Sequence, residues 1–185
     1  MRALILTWEK FQDHETVFPY YALQQYGAEV TLASNVRQGR VFGSLGVHLQ
    51  SDIHVNDLWE ASYFGNRGGY IVDEFDLLII PGGVKCLEKL RLENHAVGFV
   101  QAWFSENKPT LCICNGAQLL ITADVLRGRH CSGYYSIEPD IKNAGAKYSR
   151  GVVVDDNLVS CAHYDDMGEW MREGLKMYEA SHASK

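Results

Sequence analysis

The amino-acid sequence predicts a three-layer α/β sandwich in which a mainly parallel sheet is covered by helices on both faces. Two short, continuous apolar runs, 76–80 and 110–114, are typical of central parallel strands. Segments with helical apolar spacing, such as 94–107, alternate with these runs, and this alternation predicts a parallel sheet. The chain has 185 residues, of which 46% are hydrophobic, so it can build a sizeable core. We expect a single domain over 1–185.

The N-terminal part of the chain combines a strand–helix–strand unit with a glycine-rich excursion. Gly27 is expected to end the first helix as a C-cap. Apolar residues alternate with polar ones around Gly39, Gly43 and Gly46, which indicates a hairpin. The predicted elements are, in order, a strand at 2–7, a helix at 15–26, a strand at 28–33, a hairpin-like excursion at 36–55, and a loop or short helix plus loop at 56–73.

The C-terminal part continues the alternation of strands and helices. A proline and two glycines at 81–83 end the first strand of this part, and Gly145 follows its third helix. The turn residues at 155–157 lie between two apolar runs and predict a hairpin. The predicted elements are a strand at 76–80, a helix at 94–107, a strand at 110–114, helices at 116–126 and 137–143, a hairpin at 152–160, and a final helix at 165–179.

Charge and composition argue against several function classes. The formal net charge is −6 and lysines and arginines are not clustered, which argues against a nucleic-acid partner. No apolar run is long enough to span a membrane. The apolar stretch at 1–7 is too short for a signal peptide, so we expect a cytoplasmic protein.

The cysteines and histidines favour free thiols. Five cysteines are an odd number, and a disulfide framework is not expected in a cytoplasmic chain. The seven histidines are scattered, and no Cys/His set has metal-ligand spacing, so no metal site is predicted. We expect Cys112 to lie in the core and Cys86 to be packed as a small hydrophobe, with a resolving thiol as the alternative for Cys86.

Cys114 stands out because an apolar strand ends at this residue and a helical pattern begins just after it. This arrangement predicts a sharp strand-to-helix elbow, which is a common way to present a nucleophile. The helix N-terminus favours an anion and would stabilise the thiolate. The alternative is a buried structural cysteine.

Several motifs occur in the order and at the spacing of one known family. They are Asp13-His14-Glu15-Thr16 with Pro19, Glu74-Phe75-Asp76 leading to Pro81-Gly82-Gly83, the run from Cys114 to Leu120, Gly128-Arg129, Tyr134, Asn143-Ala144-Gly145-Ala146, and Val152-Val153-Val154-Asp155. In these motifs the chain resembles the ThiJ/PfpI superfamily, the class I glutamine amidotransferase-like group. It looks closest to the PfpI-type intracellular proteases and their deglycase-like relatives. The resemblance runs nearly end to end and implies a flavodoxin-like fold.

The resemblance implies roles for five residues. Cys114 corresponds to the family nucleophile, and Glu15 to the glutamate that touches the thiol. Gly82 and Gly83 correspond to the glycines that donate backbone N–H groups to an oxyanion, and the N–H of Asn115 would complete that hole. A buried Glu15 would have a raised pKa, and its protonated carboxyl would donate to the thiolate. The alternative for Glu15 is a first-turn residue favoured by the helix dipole.

The resemblance also implies an assembly and a simple chemistry. Members of the family usually form dimers or larger oligomers, so a homodimer or higher homo-oligomer is expected. In the protease branch a glutamate after the Pro-Gly-Gly turn reaches a neighbouring subunit's site; Glu88 is the nearest match, with one extra residue intervening. No cofactor is expected.

The chain departs from the protease pattern around the predicted site. The protease branch has histidine directly after the nucleophile, where this chain has Asn115, and asparagine cannot exchange a proton near neutral pH. Gln12 stands where proteases often have glutamate. In the segment 160–166, Ala162 and Tyr164 replace the arginine and proline of the family. A Cys–His relay is therefore absent at its expected place, and we expect an altered substrate.

Other side chains are candidates for acid/base or substrate-binding roles. His163 is the first candidate for a replacement base because its segment is expected to return to the site. Tyr134 and Asp166 are further candidates, together with Glu88. The aromatic residues Trp8, Trp59, Tyr63 and Phe64 are expected either to line an apolar pocket or to belong to the core or an interface.

These features predict a cofactor-independent cysteine hydratase or hydrolase acting on a small electrophilic molecule. The substrate is a reactive carbonyl, a glycated adduct or a molecule with a susceptible carbon–nitrogen bond. Two alternatives stay open, a PfpI-type intracellular cysteine peptidase and a redox-sensing or stress-protective protein that uses Cys114 without turnover.

Overall fold

The computed structural model describes residues 1–61 and 68–183 and has a seven-stranded sheet at its centre. The strand order is β12-β13-β9-β8-β1-β2-β5, and only β12 runs antiparallel to its neighbour. The strands of this sheet are β1 (Arg2–Leu6), β2 (Glu29–Ser34), β5 (Ile53–His54), β8 (Leu77–Ile80), β9 (Thr110–Ile113), β12 (Val152–Asp155) and β13 (Leu158–Cys161).

Every residue of β8, β9 and β13 is buried, which requires cover on both faces of the sheet. One close approach is at Gly174, where an added Cβ would meet the side chain of Leu111 on β9. The helices are α1 (Asp13–Gln25), α2 (Val84–Leu90), α3 (Asn94–Ser105), α4 (Ala117–Thr122), α5 (Glu138–Asn143) and α6 (Met167–Ala183). The α/β sandwich predicted from the sequence is confirmed.

In the part of the chain that the structure describes, three two-stranded sheets lie outside the central one. The antiparallel hairpin β3–β4 was predicted within 36–55. A parallel pair β10–β11 and an antiparallel pair β6–β7 were not predicted. Their strands are β3 (Gly39–Phe42), β4 (His48–Ser51), β6 (Trp59–Glu60), β7 (Gly69–Tyr70), β10 (His130–Cys131) and β11 (Lys147–Tyr148).

Most elements differ from the sequence predictions by one or two residues at an end, and the larger differences are in helices α2, α4 and α6. Helix α2 was not predicted, because seven residues carry too little periodicity to be recognised. Helix α4 ends at Thr122 rather than at residue 126, and Asp124 follows with a φ of 54°. Helix α6 continues to Ala183. None of these differences alters the order of the sheet.

The topology brings three chain segments together at one edge of the sheet. Strands β1, β8 and β9 are parallel neighbours, so their carboxyl ends lie side by side. The segments that follow them contain Glu15, Gly82 and Cys114, in that order. Ligands in open α/β sheets bind beyond the carboxyl ends of the strands, and the predicted site residues lie there.

Candidate active site

Cys114 lies on a strained elbow directly after β9. Its φ is 59°, in the left-handed region that a non-glycine residue adopts at a cost of about 1–3 kcal/mol. The turn is compact: a Cβ added at Gly116 would lie 2.5 Å from the carbonyl oxygen of Ile80 and 3.1 Å from the Cys112 sulfur. Cys114 is only 7% exposed, and it lines a pocket that opens to the surface.

Glu15 places a buried carboxyl against this thiol. The residue is in the first turn of α1 and is fully buried. Its Oε2 accepts a 3.0 Å hydrogen bond from the N–H of Gly82, whereas Oε1 has no hydrogen-bonding group correctly placed for it among the described residues. Burial raises the pKa of Glu15 to about 7, and the neighbouring Cys114 thiol and the N–H of Gly82 oppose this rise.

The Cys114 thiol and the Glu15 carboxyl form a coupled pair. Burial, and then the negative charge of Glu15, raise the pKa of Cys114, while the N–H groups of Asn115 and Gly83 lower it. With the proton on sulfur, the thiol donates to Asn115 Oδ1 at 3.4 Å. A proton on the free Oε1 of Glu15 would instead donate to a thiolate. The pair can therefore exchange one proton between carboxyl and thiol.

The two glycines after β8 have different tasks. Gly82 already gives its N–H to Glu15, which differs from the oxyanion role predicted for it, because one N–H cannot serve both acceptors well. The N–H groups of Gly83 and Asn115 lie close enough to the sulfur to lower the pKa of Cys114. Gly83 has a φ of 117°, and a Cβ there would lie 2.7 Å from the backbone nitrogen of Gln12. Gly83 and Asn115 are thus the two donors next to the nucleophile.

These groups open into a pocket of about 580 Å³. Tyr134 and His163 line it, as predicted for substrate-binding candidates, and the Tyr134 N–H donates to the Cys114 carbonyl at 3.1 Å. The full lining is Lys10, Gln12, Glu15, Ser44, Gly83, Val84, Lys85, Cys114, Asn115, Tyr134, His163 and Tyr164.

His163 lines the pocket, but its ring contacts Asp165 and Tyr164. Its Nδ1 is 3.1 Å from a carboxylate oxygen of Asp165, and the ring packs on Tyr164 with centroids 3.8 Å apart. It is not among the groups in hydrogen-bond contact with the Cys114 sulfur. Asp166 and Glu88, the other two candidates, do not line the pocket; Glu88 is exposed on α2.

The two tryptophans of the predicted aromatic set do not line the pocket. Trp8 faces His54 with ring centroids 6.5 Å apart, and Trp59 packs edge-on against Tyr70 at 4.8 Å. Trp8 is partly buried against the core, whereas Trp59 is 40% exposed. Tyr63 and Phe64 lie outside the described residues.

Sequence reasoning missed three polar residues of the pocket, Lys10, Ser44 and Lys85. Lys10 follows β1 and Lys85 follows Gly83, and a segment that leaves the carboxyl end of a parallel strand lies over the site. That position is the signal that identifies them. Ser44, in the turn of the β3–β4 hairpin, gives no such signal, because its place depends on how the hairpin folds back.

The remaining cysteines are all buried and none forms a disulfide. Within residues 1–61 and 68–183, no three histidine, cysteine or acidic side chains are grouped so as to hold a metal ion. In the same ranges, no helix has both the length and the apolar character needed to cross a membrane.

Comparison with known proteins supports the resemblance. The model of the DJ-1/PfpI family matches residues 1–177. The chain is 38% identical to "Deglycase PfpI" of Pyrococcus furiosus, over 96% of this chain and 99% of that protein. It is 34% identical to "Putative cysteine protease YraA" of Bacillus subtilis, over 94% and 95% of the two chains.

A solved structure from Anabaena variabilis is also similar. It is a two-domain protein containing DJ-1/ThiJ/PfpI-like and ferritin-like domains, with a TM-score of 0.83 and 29% identity. The match covers 95% of this chain and 47% of that one, so the chain spans about half the length of the two-domain protein. Together, the family model and the end-to-end identity show that this chain belongs to the DJ-1/PfpI family.

Proposed function

We propose that this protein is a cofactor-independent cysteine hydrolase of the deglycase type, acting on small electrophilic carbonyl compounds or on the adducts that they form with amines. The observation that carries the proposal is the contact between the Cys114 thiol and the buried Glu15 carboxyl, at the base of a pocket of about 580 Å³. A carboxyl with a pKa of about 7 can both accept and return a proton near neutral pH.

The proposed chemistry begins with proton transfer from Cys114 to Oε1 of Glu15. The thiolate attacks the carbonyl carbon, an S–C bond forms, and the π electron pair moves to oxygen. The N–H groups of Gly83 and Asn115 stabilise that oxyanion. Glu15 returns its proton to that oxygen, which gives a hemithioacetal. Through an enediol, Glu15 moves the hydrogen of the former aldehyde carbon to the neighbouring carbonyl carbon, whose oxygen gains the hydroxyl proton, and water hydrolyses the resulting acyl–cysteine to a 2-hydroxy acid, regenerating the thiol. An amine adduct enters the same path after its C–N bond breaks and the amine leaves with the hydroxyl proton of the hemiaminal.

A deglycase-type reaction is supported by the name of the Pyrococcus furiosus relative. The Bacillus subtilis relative favours a peptidase as the second candidate. Against a peptidase, Asn115 occupies the position after the nucleophile and its Oδ1 accepts from the thiol, so no histidine is placed there as the acid for a leaving amine. A redox-sensing role of Cys114 is the third candidate.

The test is turnover of methylglyoxal and of its adduct with a free amino acid, followed by loss of carbonyl and release of amine. Cys114→Ser is expected to abolish both. Cys131→Ala is the matched control, because Cys131 is fully buried outside the pocket and its variant should keep the activity. Full activity in Cys114→Ser would eliminate every function that depends on this thiol.

Two further arms separate the alternatives. If Asn115→His hydrolyses an unstructured protein substrate faster than the wild type does, the site is one histidine away from a peptidase. If the wild type hydrolyses that substrate and turns over no carbonyl compound, the peptidase function replaces the proposed one. Oxidation of Cys114 by mild peroxide, detected by intact mass, in a protein that turns over neither class of substrate would favour the sensor.

A further inference from the structure

Two lysines give the pocket a local charge opposite to that of the whole protein. Lys10 and Lys85 both line it, although the formal net charge of the chain is −6. Among the described lining residues, the sole acidic side chain is Glu15, whose carboxyl is directed at Gly82 and Cys114. Neither lysine forms a salt bridge with any residue of the described ranges.

The backbone holds both lysines next to the nucleophile. Lys10 has a φ of 66°, its N–H donates to the Phe42 carbonyl at 2.7 Å, and its carbonyl accepts from Ser44 Oγ at 2.9 Å. That carbonyl would lie 2.9 Å from a Cβ placed on Gly83. Lys85 comes two residues after Gly83. Both side chains therefore start beside one of the two backbone donors that lie close to the sulfur.

We infer that the pocket selects small electrophiles that carry an anionic group, a carboxylate or a phosphate, and that Lys10 and Lys85 determine this specificity. The inference rests on the proposed role of Cys114 as the nucleophile. A neutral electrophile would gain nothing from the two hydrated ammonium groups, whereas an anionic one would pair with them while its electrophilic carbon faces the sulfur. Lysine suits either anion, because its ammonium is a point charge without the fixed fork of arginine.

The charges around the pocket permit this preference. Three acids outside the lining have to be considered. Glu9 precedes Lys10 and accepts from the N–H of Phe42, Glu88 is exposed three residues after Lys85 on α2, and Asp165 is exposed and pairs with His163. Asp13 is buried and accepts N–H groups from Leu45 and Val47. Solvent screens two exposed ammonium groups, so we expect each to favour an anion by about fivefold in rate rather than by orders of magnitude.

A matched pair of alkylating agents tests the inference without requiring turnover. Iodoacetate and iodoacetamide have nearly the same shape and differ in charge. In both reactions the Cys114 sulfur forms a bond to the methylene carbon, the C–I bond breaks, and iodide leaves with its electron pair. Intact mass gives the labelling rate of Cys114 with each reagent, and hence the rate ratio of iodoacetate to iodoacetamide. Dividing this ratio by the same ratio for a small free thiol removes the intrinsic difference between the reagents. The normalised ratio reports the preference of the pocket for an anion.

We expect this normalised ratio to be about twentyfold in the wild type, to decrease by about fivefold in Lys10→Gln and in Lys85→Gln, and to decrease as salt is raised. Lys89→Gln is the matched control, since Lys89 is also exposed on α2 but does not line the pocket, and it should leave the ratio unchanged. A normalised ratio near one in the wild type, or an equal decrease in Lys89→Gln, would overturn the inference.

Protection experiments distinguish the two anions. Glyoxylate and inorganic phosphate are added separately, and each is scored by how far it slows iodoacetamide labelling of Cys114. If one of the two anions protects the wild type but not the Lys10→Gln/Lys85→Gln double variant, that anion represents the preferred group. If neither anion protects the wild type, the inference is contradicted. Failure of the proposed function would be seen separately, as carbonyl turnover that survives in Cys114→Ser.

Discussion

The substitution Gly82→Ala should displace the groups that surround the Cys114 nucleophile. A methyl group at this position would overlap Glu15 Oε2 and would lie 2.7 Å from the Cβ of Cys114 and 3.1 Å from the Asn115 nitrogen. The neighbouring groups are backbone or buried side chains, so none can move aside without cost. The structure therefore allows relief only by displacing the Glu15 carboxyl, the elbow, or both.

The magnitude follows from two contributions. Overpacking a buried site costs about 1–3 kcal/mol. Weakening the 3.0 Å hydrogen bond from the Gly82 N–H to the Glu15 carboxyl, which is buried and near its pKa, costs about 1.5–3 kcal/mol more. We expect a loss of about 3–5 kcal/mol in the free energy of unfolding and a change of at least about tenfold in the rate at which iodoacetamide labels Cys114.

Urea unfolding and the labelling rate are the two measurements. Gly168→Ala serves as the matched control, because an added Cβ there has nothing within 4 Å and the residue lies in the first turn of α6. It should be neutral or stabilise by up to about 1 kcal/mol. If Gly82→Ala unfolds at the same urea concentration as the wild type and labels at the same rate, the assignment of Gly82 as the support of Glu15 is refuted.

Three other outcomes are expected. The pKa of Glu15 in the folded state, about 7, exceeds its ordinary value of 4.5, so the folded state binds more protons than the unfolded state between these pH values. The free energy of unfolding should therefore fall by about 3 kcal/mol as pH rises through that window. Urea unfolding at successive pH values measures this dependence, and Glu15→Gln should remove it. Asp13→Asn can accept from only one of the two N–H groups, of Leu45 and Val47, and should cost about 1–3 kcal/mol with faster amide exchange at one of these two residues. Native iodoacetamide labelling should add a single group, at Cys114, because the other cysteines are fully buried; a second rapid label would contradict the described core.

The sheet could be predicted from the sequence because its strands carry strong local signals. The buried runs of β8 and β9 are continuous and apolar, and Gly27 and Gly145 have positive φ after helices that were expected to end near them. Helix α2 and the short pair β10–β11 could not be predicted. They contain too few residues for a period to emerge, and their conformation is set by the elements against which they pack.

The site was predictable where a backbone motif determines it. The pairing of Glu15 with Cys114 was expected from the family resemblance, and the structure accounts for it, because both residues follow parallel strands at the centre of the sheet. The different hydrogen-bonding roles of Gly82 and Gly83 were not predictable, because they depend on which of the two N–H groups donates to the Glu15 carboxyl. His163 was placed in the correct pocket, but its pairing with Asp165 depends on the fold of a short 3-10 turn.

Because the site is assembled from the ends of three neighbouring strands, its activity depends on the cooperative folding of the whole sheet. Glu15, Gly82 and Cys114 meet only when β1, β8 and β9 are paired in register at the centre of the sheet. Partial opening at the sheet edges, where β5 and β12 lie, leaves these central pairings intact. Loss of activity and global unfolding should therefore occur in one transition, and the reactivity of Cys114 becomes a reporter of the folded population of the whole chain.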